Sequence, residues 1–292
     1  MLEEENVCGT SSQKVMQERD ATALPRGGEM TIPALEVRGI DKSFGAVDVL
    51  KGVSLQVAPG EVLGVVGDNG AGKSTLMKVI SGVHHADNGF IRLGGSEVSF
   101  RSPKDARNSG IETIYQDLAL ADHLDVGANI FLGREPIRRL FGILPMLDER
   151  KIHGEIAALL ARIESHIPDP TTRVDALSGG QRQAVAIARA LYWRAKIVIM
   201  DEPTAALAVM ETENVLKMAR QLADEGIGVL FIGHNLIEIL NVCDRVVVMY
   251  RGRMVFNARS EDTSQTELVK YMTGYADAQQ GTYGGGEDHE HA

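Results

Sequence analysis

A chain of 292 residues, 44% hydrophobic and 24% charged, is long enough to bury a full α/β core and has the make-up of an ordinary globular protein. Forty acidic against 30 basic residues give a formal charge of −10, which disfavours a broad nucleic-acid footprint. Cys8 and Cys243 are far apart in sequence, imply no disulfide framework, and read as reduced thiols of the cytosol.

Glu3, Glu4 and Glu5 stand where a secretory signal carries positive charge, and no apolar stretch follows them. Apolar runs such as Ile197–Met200 and Val246–Tyr250 are far shorter than a membrane span. If the protein works at a membrane, another chain supplies the membrane part.

Residues 1–30 lack periodicity and are expected to form a flexible tail. Strand-like runs then follow at Leu35–Ile40, Val53–Val57 and Val62–Val66, with Pro59-Gly60 marking a turn before the last. Thr75–Ile80 reads as a helix and Phe90–Leu93 as a further strand. Ser102 and Pro103 supply an N-cap and a first-turn proline for a short helix ending at Gly110, and Ile111–Tyr115 makes a strand. From Asp117 to about Asp175 strand signals are few. There Asp148–Ile163 places Ile152, Ile156, Leu159, Leu160 and Ile163 on one helical stripe, so a helical insertion is expected. Helix Ser178–Leu191, strand Ile197–Met200, helix Met210–Glu225 and strands Ile227–Ile232 and Arg245–Tyr250 complete a β/α alternation typical of parallel sheets. The end of the chain, 275–292, carries the run Gly284-Gly285-Gly286 with His289 and His291, and reads as a second tail rather than a metal site.

Between the third strand and its helix stands Gly67-Asp68-Asn69-Gly70-Ala71-Gly72-Lys73-Ser74, which matches G-x-x-x-x-G-K-[ST] in the strand–loop–helix context that motif requires. Its glycines let backbone N–H groups point inward at a polyphosphate, with a helix N-terminus behind them. Lys73 suits the β- and γ-phosphates, and the Ser74 hydroxyl suits Mg²⁺. A buried run, Ile197–Met200, ends in Asp201 and Glu202, and a strand-end acid helps hold Mg²⁺ in phosphoryl-transfer sites. Taken alone, that acidic pair is common surface decoration; beside a phosphate loop and before Pro203-Thr204 it is not.

A second string, Leu177-Ser178-Gly179-Gly180-Gln181, joined to the phosphate loop, resembles the ATP-binding cassette (ABC) ATPases over about residues 34–274. The resemblance implies a P-loop α/β fold with a mainly parallel sheet, an N-terminal antiparallel part and an inserted helical subdomain at about 117–175. It assigns ATP and Mg²⁺ to Gly67 through Thr75, makes Glu202 the general base for the attacking water, and gives Asp201 to the metal. Gln116 matches the family's metal- and γ-phosphate-sensing glutamine, His234 its switch histidine, and Phe44 its adenine-stacking aromatic. Read without the family, Gln116 is a polar loop residue, His234 a capping or core histidine, and Phe44 a core residue. Leu177–Gln181 is expected to close on ATP held by a second copy, so a homodimer is implied. One phosphate loop and one such string make this a single cassette.

Gln116–Leu120, Asn129–Glu135 and Gly233–Leu236 further resemble the ATPase subunits of bacterial monosaccharide importers, including the single-cassette fructose type. That branch implies a membrane permease, a periplasmic sugar-binding protein and a peripheral position on the inner face of the cell membrane. Where many cassettes read Ser-Ala-Leu-Asp, this chain reads Ala205-Ala206-Leu207-Ala208, which removes an acid but no group that binds or cleaves ATP. The rival readings are a cassette for another cargo, a non-transport ATPase, and a regulatory nucleotide-binding module.

Overall fold

The computed structural model describes residues 32–114, 118, 120–140, 144–162, 167, 169–205 and 208–274. Both expected tails and Gln116 lie outside the described residues, as do Ala206 and Leu207. Side-chain alternation along the buried strands sorts the core into layers. In β9 (Ile197–Asp201), Ile197 and Ile199 enter one apolar cluster, while Val198 and Met200 enter another on the opposite face. Strand β10 (Gly228–Ile232) splits likewise, with Leu230 and Ile232 on one side and Val229 and Phe231 on the other. Strands covered on both faces are the mark of a parallel sheet packed between layers.

That sheet has six strands in the order β12–β11–β3–β10–β9–β6, where β3 is Val62–Val66, β6 Ile111–Ile114, β11 Arg245–Tyr250 and β12 Arg253–Arg259. All neighbours pair in parallel except β12, which folds back antiparallel on β11. One face packs against α1 (Lys73–Ile80) and a second sheet, β2–β1–β4–β5, made of β1 (Leu35–Phe44), β2 (Val47–Val57), β4 (Asn88–Leu93) and β5 (Ser96–Val98). Its strands are antiparallel throughout. The other face is covered by α6 (Val209–Asp224), α7 (Leu236–Val242) and α8 (Gln265–Met272), which contribute Val215, Met218, Ile239 and Leu268.

Helix α2 (Pro103–Ser109) forms where its cap signals place it: the Ser102 hydroxyl accepts from Asp105 N–H at 3.3 Å, and Gly110 ends it in the left-handed region. The stretch beyond β6 holds a third apolar cluster of its own. Here α3 (Val126–Phe131) contributes Val126, Ile130 and Phe131, and α4 (Glu149–Arg162) contributes Ile156 and Leu160 from the expected stripe. A two-stranded hairpin, β7 (Ile137–Leu140) with β8 (Leu144–Leu147), was not anticipated there; it is short, and Pro145 argues against a strand in sequence. Helix α5 (Gly179–Tyr192) belongs to both parts. Ala184, Val185 and Ala188 face the insert, whereas Ile187 and Ala190 face the parallel sheet.

The two sheets are pinned together by Arg245, whose side chain is 6% exposed. Its Nε donates to Glu61 Oε1 at 2.7 Å, and its Nη atoms donate to Asn257 Oδ1 and the Gln56 carbonyl. Removing one member of a buried pair strands the other. Arg245→Ala is therefore expected to destabilise the fold by about 3 kcal/mol in denaturant unfolding; a change within experimental error rules out this role.

Candidate functional site

The phosphate loop leaves β3 at Gly67 and enters α1 at Lys73. Gly67 is required by close approach: a Cβ there stands 2.3 Å from the Met249 carbonyl of β11, and Gly252 N–H in turn donates to Ala71 O at 3.0 Å. The next strand over thus moulds the loop from behind. Asp68, Asn69, Gly70 and Ser74 are exposed at its mouth, and Thr75 is half-buried. Lys73 is buried, and its Nζ donates to the Gly67 carbonyl at 2.5 Å and the Asp68 carbonyl at 3.1 Å. Burial pushes the pKa of this ammonium down, against the opposing pull of the Glu202, Asp68 and Asp201 charges.

Asp201 ends β9, directly across from Ile232 of β10, which is itself level with Val65 of β3. Burial first, and then the neighbouring Glu202 charge, raise the Asp201 carboxyl above its ordinary value, while Lys73 and Lys78 act the other way. Glu202 leaves the strand with φ 47°, a left-handed backbone uncommon outside glycine. Two backbone bonds hold it there: Glu202 N–H donates to Ile232 O at 3.0 Å, and Ala205 N–H to Glu202 O at 3.1 Å. The side chain stays 44% exposed, with Oε2 3.9 Å from His234 Nδ1. Strained backbone of this kind clusters at functional sites.

The loops carrying these two residues are joined by a group the sequence reading missed. Glu238 accepts from Thr204 Oγ1 and from Asn235 Nδ2, each at 2.7 Å. Asn235 also caps α7 through Ile237 N–H. Its signal was an N-cap residue followed three positions later by an acid.

The structure thus gathers Gly67–Ser74, Asp201, Glu202 and His234 at the carboxyl ends of adjacent strands. Leu177 packs instead into the insert's cluster. Ser178 and Gln181 close a reciprocal capping box at the start of α5, with Ser178 N–H donating to Gln181 Oε1 at 3.0 Å and the Ser178 hydroxyl accepting from Gln181 N–H at 3.3 Å. Phe44 sits at the tip of β1, 44% exposed and outside the core. Ala208 N–H bonds Glu211 Oε2 at 3.2 Å at the start of α6.

Chemically, the loop offers N–H groups and one ammonium to a polyphosphate. The Ser74 hydroxyl and the Asp201 carboxylate are hard oxygen donors, and a divalent cation beside them would offset the burial, and then the Glu202 charge, that raise the Asp201 carboxyl.

A family model for ABC transporters matches residues 50–205. The chain belongs to the ABC transporter family of ATP-binding cassettes. It is 50% identical over 242 residues to the xylose/arabinose import ATP-binding protein of Sulfolobus acidocaldarius, covering 83% of this chain and 94% of that one. With the fructose import ATP-binding protein of Rhizobium meliloti it shares 42% identity over 247 residues, at 83% and 94% coverage. A ribose import ATP-binding protein of Streptomyces coelicolor is 43% identical, but the cassette spans 47% of its length. Among solved structures, an ABC transporter cassette in its ADP conformation superposes with a TM-score of 0.68 at 28% identity, covering 85% of this chain and 98% of that one. The cassette is accordingly an ATP-binding subunit of an ATP-hydrolysing class, and no helix among the described residues is long and apolar enough to cross a membrane.

An acid whose folded pKa is raised destabilises the fold above that pKa, where it is charged, and ceases to do so once protonated. Asp201→Asn should therefore raise the Tm of the nucleotide-free cassette at neutral pH. The gap should close as pH falls through the Asp201 titration. Equal Tm values at neutral pH contradict the charge balance described here.

Proposed function

We propose that the cassette hydrolyses ATP to power uptake of a monosaccharide through a separate permease, working as a pair of copies on the inner face of the membrane. The observation that carries the hydrolytic part is the Glu202–His234 pair at the mouth of the phosphate loop, with Lys73 and Asp201 in the same electrostatic cluster. Support for the cargo comes from relatives named for xylose/arabinose, fructose and ribose import.

In this reading Gly67–Thr75 hold the phosphates by backbone N–H groups, and Lys73 exchanges its two loop carbonyls for the β- and γ-phosphate oxygens. Ser74 and Asp201, with Gln116, would hold Mg²⁺, which would supply neutralisation of the phosphate charge. Glu202 takes a proton from water as the water oxygen bonds to the γ-phosphorus and the bond to the bridging oxygen breaks, releasing ADP and phosphate. His234 contacts the γ-phosphate, and Phe44 stacks on the adenine. Ser178, Gly179, Gly180 and Gln181 of a second copy close the site with a helix N-terminus aimed at the γ-phosphate. Residues 34–274 act as one ATPase unit whose insert, at about 117–175, transmits closure to the permease; a sugar-binding protein on the far side delivers the cargo.

Glu202→Gln is expected to bind ATP, remain dimeric with it in size-exclusion chromatography, and hydrolyse it at least ~100-fold more slowly. Undiminished phosphate release removes Glu202 from the base role. Uptake of labelled xylose, arabinose, ribose and fructose by cells lacking this chain tests the cargo, and unchanged uptake of all four overturns monosaccharide import.

A further inference from the structure

The segment between α1 and β4 joins the phosphate loop to the aromatic at the tip of β1. It starts on α1, where Val83 and His84 N–H both donate to the Lys78 carbonyl, at 2.8 and 2.9 Å. It ends against β1, where Gly89, with φ +87°, lies so close that a Cβ meets the Arg38 carbonyl at 2.4 Å. Between these anchors Asp87 grips both sides of the approach to Phe44. One carboxylate oxygen accepts from Lys42 Nζ at 2.6 Å, and the other accepts from Ser43 N–H at 2.7 Å. Asp87 N–H returns a bond to the Asp41 carbonyl at 2.9 Å. The Asp41 carboxylate extends the tie to both neighbouring strands, accepting from Gly52 N–H at 2.6 Å and Asn88 Nδ2 at 3.2 Å.

These ties converge on an exposed ring. His84 meets Phe44 in a T-shaped contact, centroids 5.1 Å apart and planes at 71°, and Lys42 Nζ lies 5.5 Å from the same ring centre. Bulges in β1 between Val37 and Ser43 leave only two register pairs, Ser43–Asp48 and Phe44–Val47, to hold the tip beyond them. Sheet hydrogen bonds alone therefore define the tip weakly, and the ring's orientation depends on side chains. A nucleoside triphosphate demands a set separation between base and phosphates. Helix α1 spans eight residues, about 12 Å, with the phosphate loop at one end and this segment at the other.

We propose that His84 and Asp87 are positioning residues for the nucleotide base: they hold the Phe44 ring at a fixed reach from the phosphate loop. The inference rests on the reading of Phe44 as the adenine platform. Neither residue touches the reacting atoms. Their contribution is to ATP affinity, through preorganisation of the stacking face.

The test compares full-length variants by ATPase kinetics and by competition with tripolyphosphate, which has phosphates but no base. His84→Ala and Asp87→Asn should each raise the KM for ATP roughly three- to tenfold, the range an aromatic contact is worth, with kcat within about twofold. Tripolyphosphate should compete as well against these variants as against the parent, which also shows the loop to be intact. His84→Phe should restore the KM by replacing one aromatic edge with another. Phe44→Ala is the arm that separates the two claims. If it raises KM while His84→Ala and Asp87→Asn do not, the platform stands and the positioning roles fall. If Phe44→Ala leaves KM unchanged, the platform reading falls, and the inference with it. Equal weakening of ATP and tripolyphosphate binding in the His84 and Asp87 variants means general loop damage and overturns the proposal.

Discussion

The architecture follows from covering both faces of β3, β10 and β9. Their side chains alternate between two apolar clusters, so no polar chemistry fits along their length. Charged and flexible residues are confined to the strand ends. In-register parallel pairing then brings three such ends together: Val65, Ile232 and Asp201 stand level, and the chain emerges from them as Gly67, His234 and Glu202. Ligand sites of open parallel sheets lie at these carboxyl ends for the same topological reason. Local devices then refine what the sheet brings together. Met249 and Gly252 shape the phosphate loop from the neighbouring strand, and the Ile232 carbonyl holds Glu202 in its left-handed turn.

Helix α5 carries mechanical meaning because it is shared. Its first turn is the Ser178 capping box, Ala184, Val185 and Ala188 pack into the insert's cluster, and Ile187 and Ala190 turn to the cluster on the face of the parallel sheet. At the far end Trp193 Nε1 donates to the Ile130 carbonyl at 3.2 Å, and Arg134 stacks 4.5 Å from the Trp193 ring while donating to the Trp193 carbonyl. The Glu112–Arg189 pair, 3.3 Å apart and buried, joins α5 to β6, the strand that leads towards Gln116. Burial raises the Glu112 carboxyl despite the three arginines that face it, Arg189 foremost. Displacing the insert thus means displacing the helix whose N-terminus carries Leu177–Gln181.

How much could be read from sequence depended on how strongly each element signals burial. The continuous runs at Val62–Val66, Ile197–Met200 and Arg245–Tyr250 were legible because both faces of the strand are apolar. Strand β12 was not read, since Arg253, Asn257 and Arg259 break its pattern at the sheet edge. The first half of β2 escaped for a similar reason: Val47 and Asp48 are exposed at a hairpin tip. The phosphate loop and the Asp201–Glu202 pair stand out as chain-local patterns and His234 only through the family resemblance, and the structure gathers these candidates at one end of the parallel sheet. Glu238 and Asp87 work through contacts 34 and 45 residues away in sequence; the N-cap pattern at Asn235 marks Glu238 but not its partner Thr204, and no local pattern marks Asp87. Phe44 looked like core when read alone; its 44% exposure follows from standing at the end of a bulged strand.

A single copy holds an asymmetric collection of groups. The phosphate loop, Asp201, Glu202 and His234 share one edge of the parallel sheet, while Leu177 is committed to the insert's own core. Ser178 and Gly180 are exposed beside the capping box, at a helix N-terminus whose remaining N–H groups and dipole favour an anion. An anion-seeking helix end with no carboxylate in its first turn is the electrostatic complement of the polyphosphate that a phosphate loop holds. In the proposed pair, two copies arranged head to tail would satisfy both ends at once, and that arrangement would couple the spacing of the copies to whether the γ-phosphate is still attached.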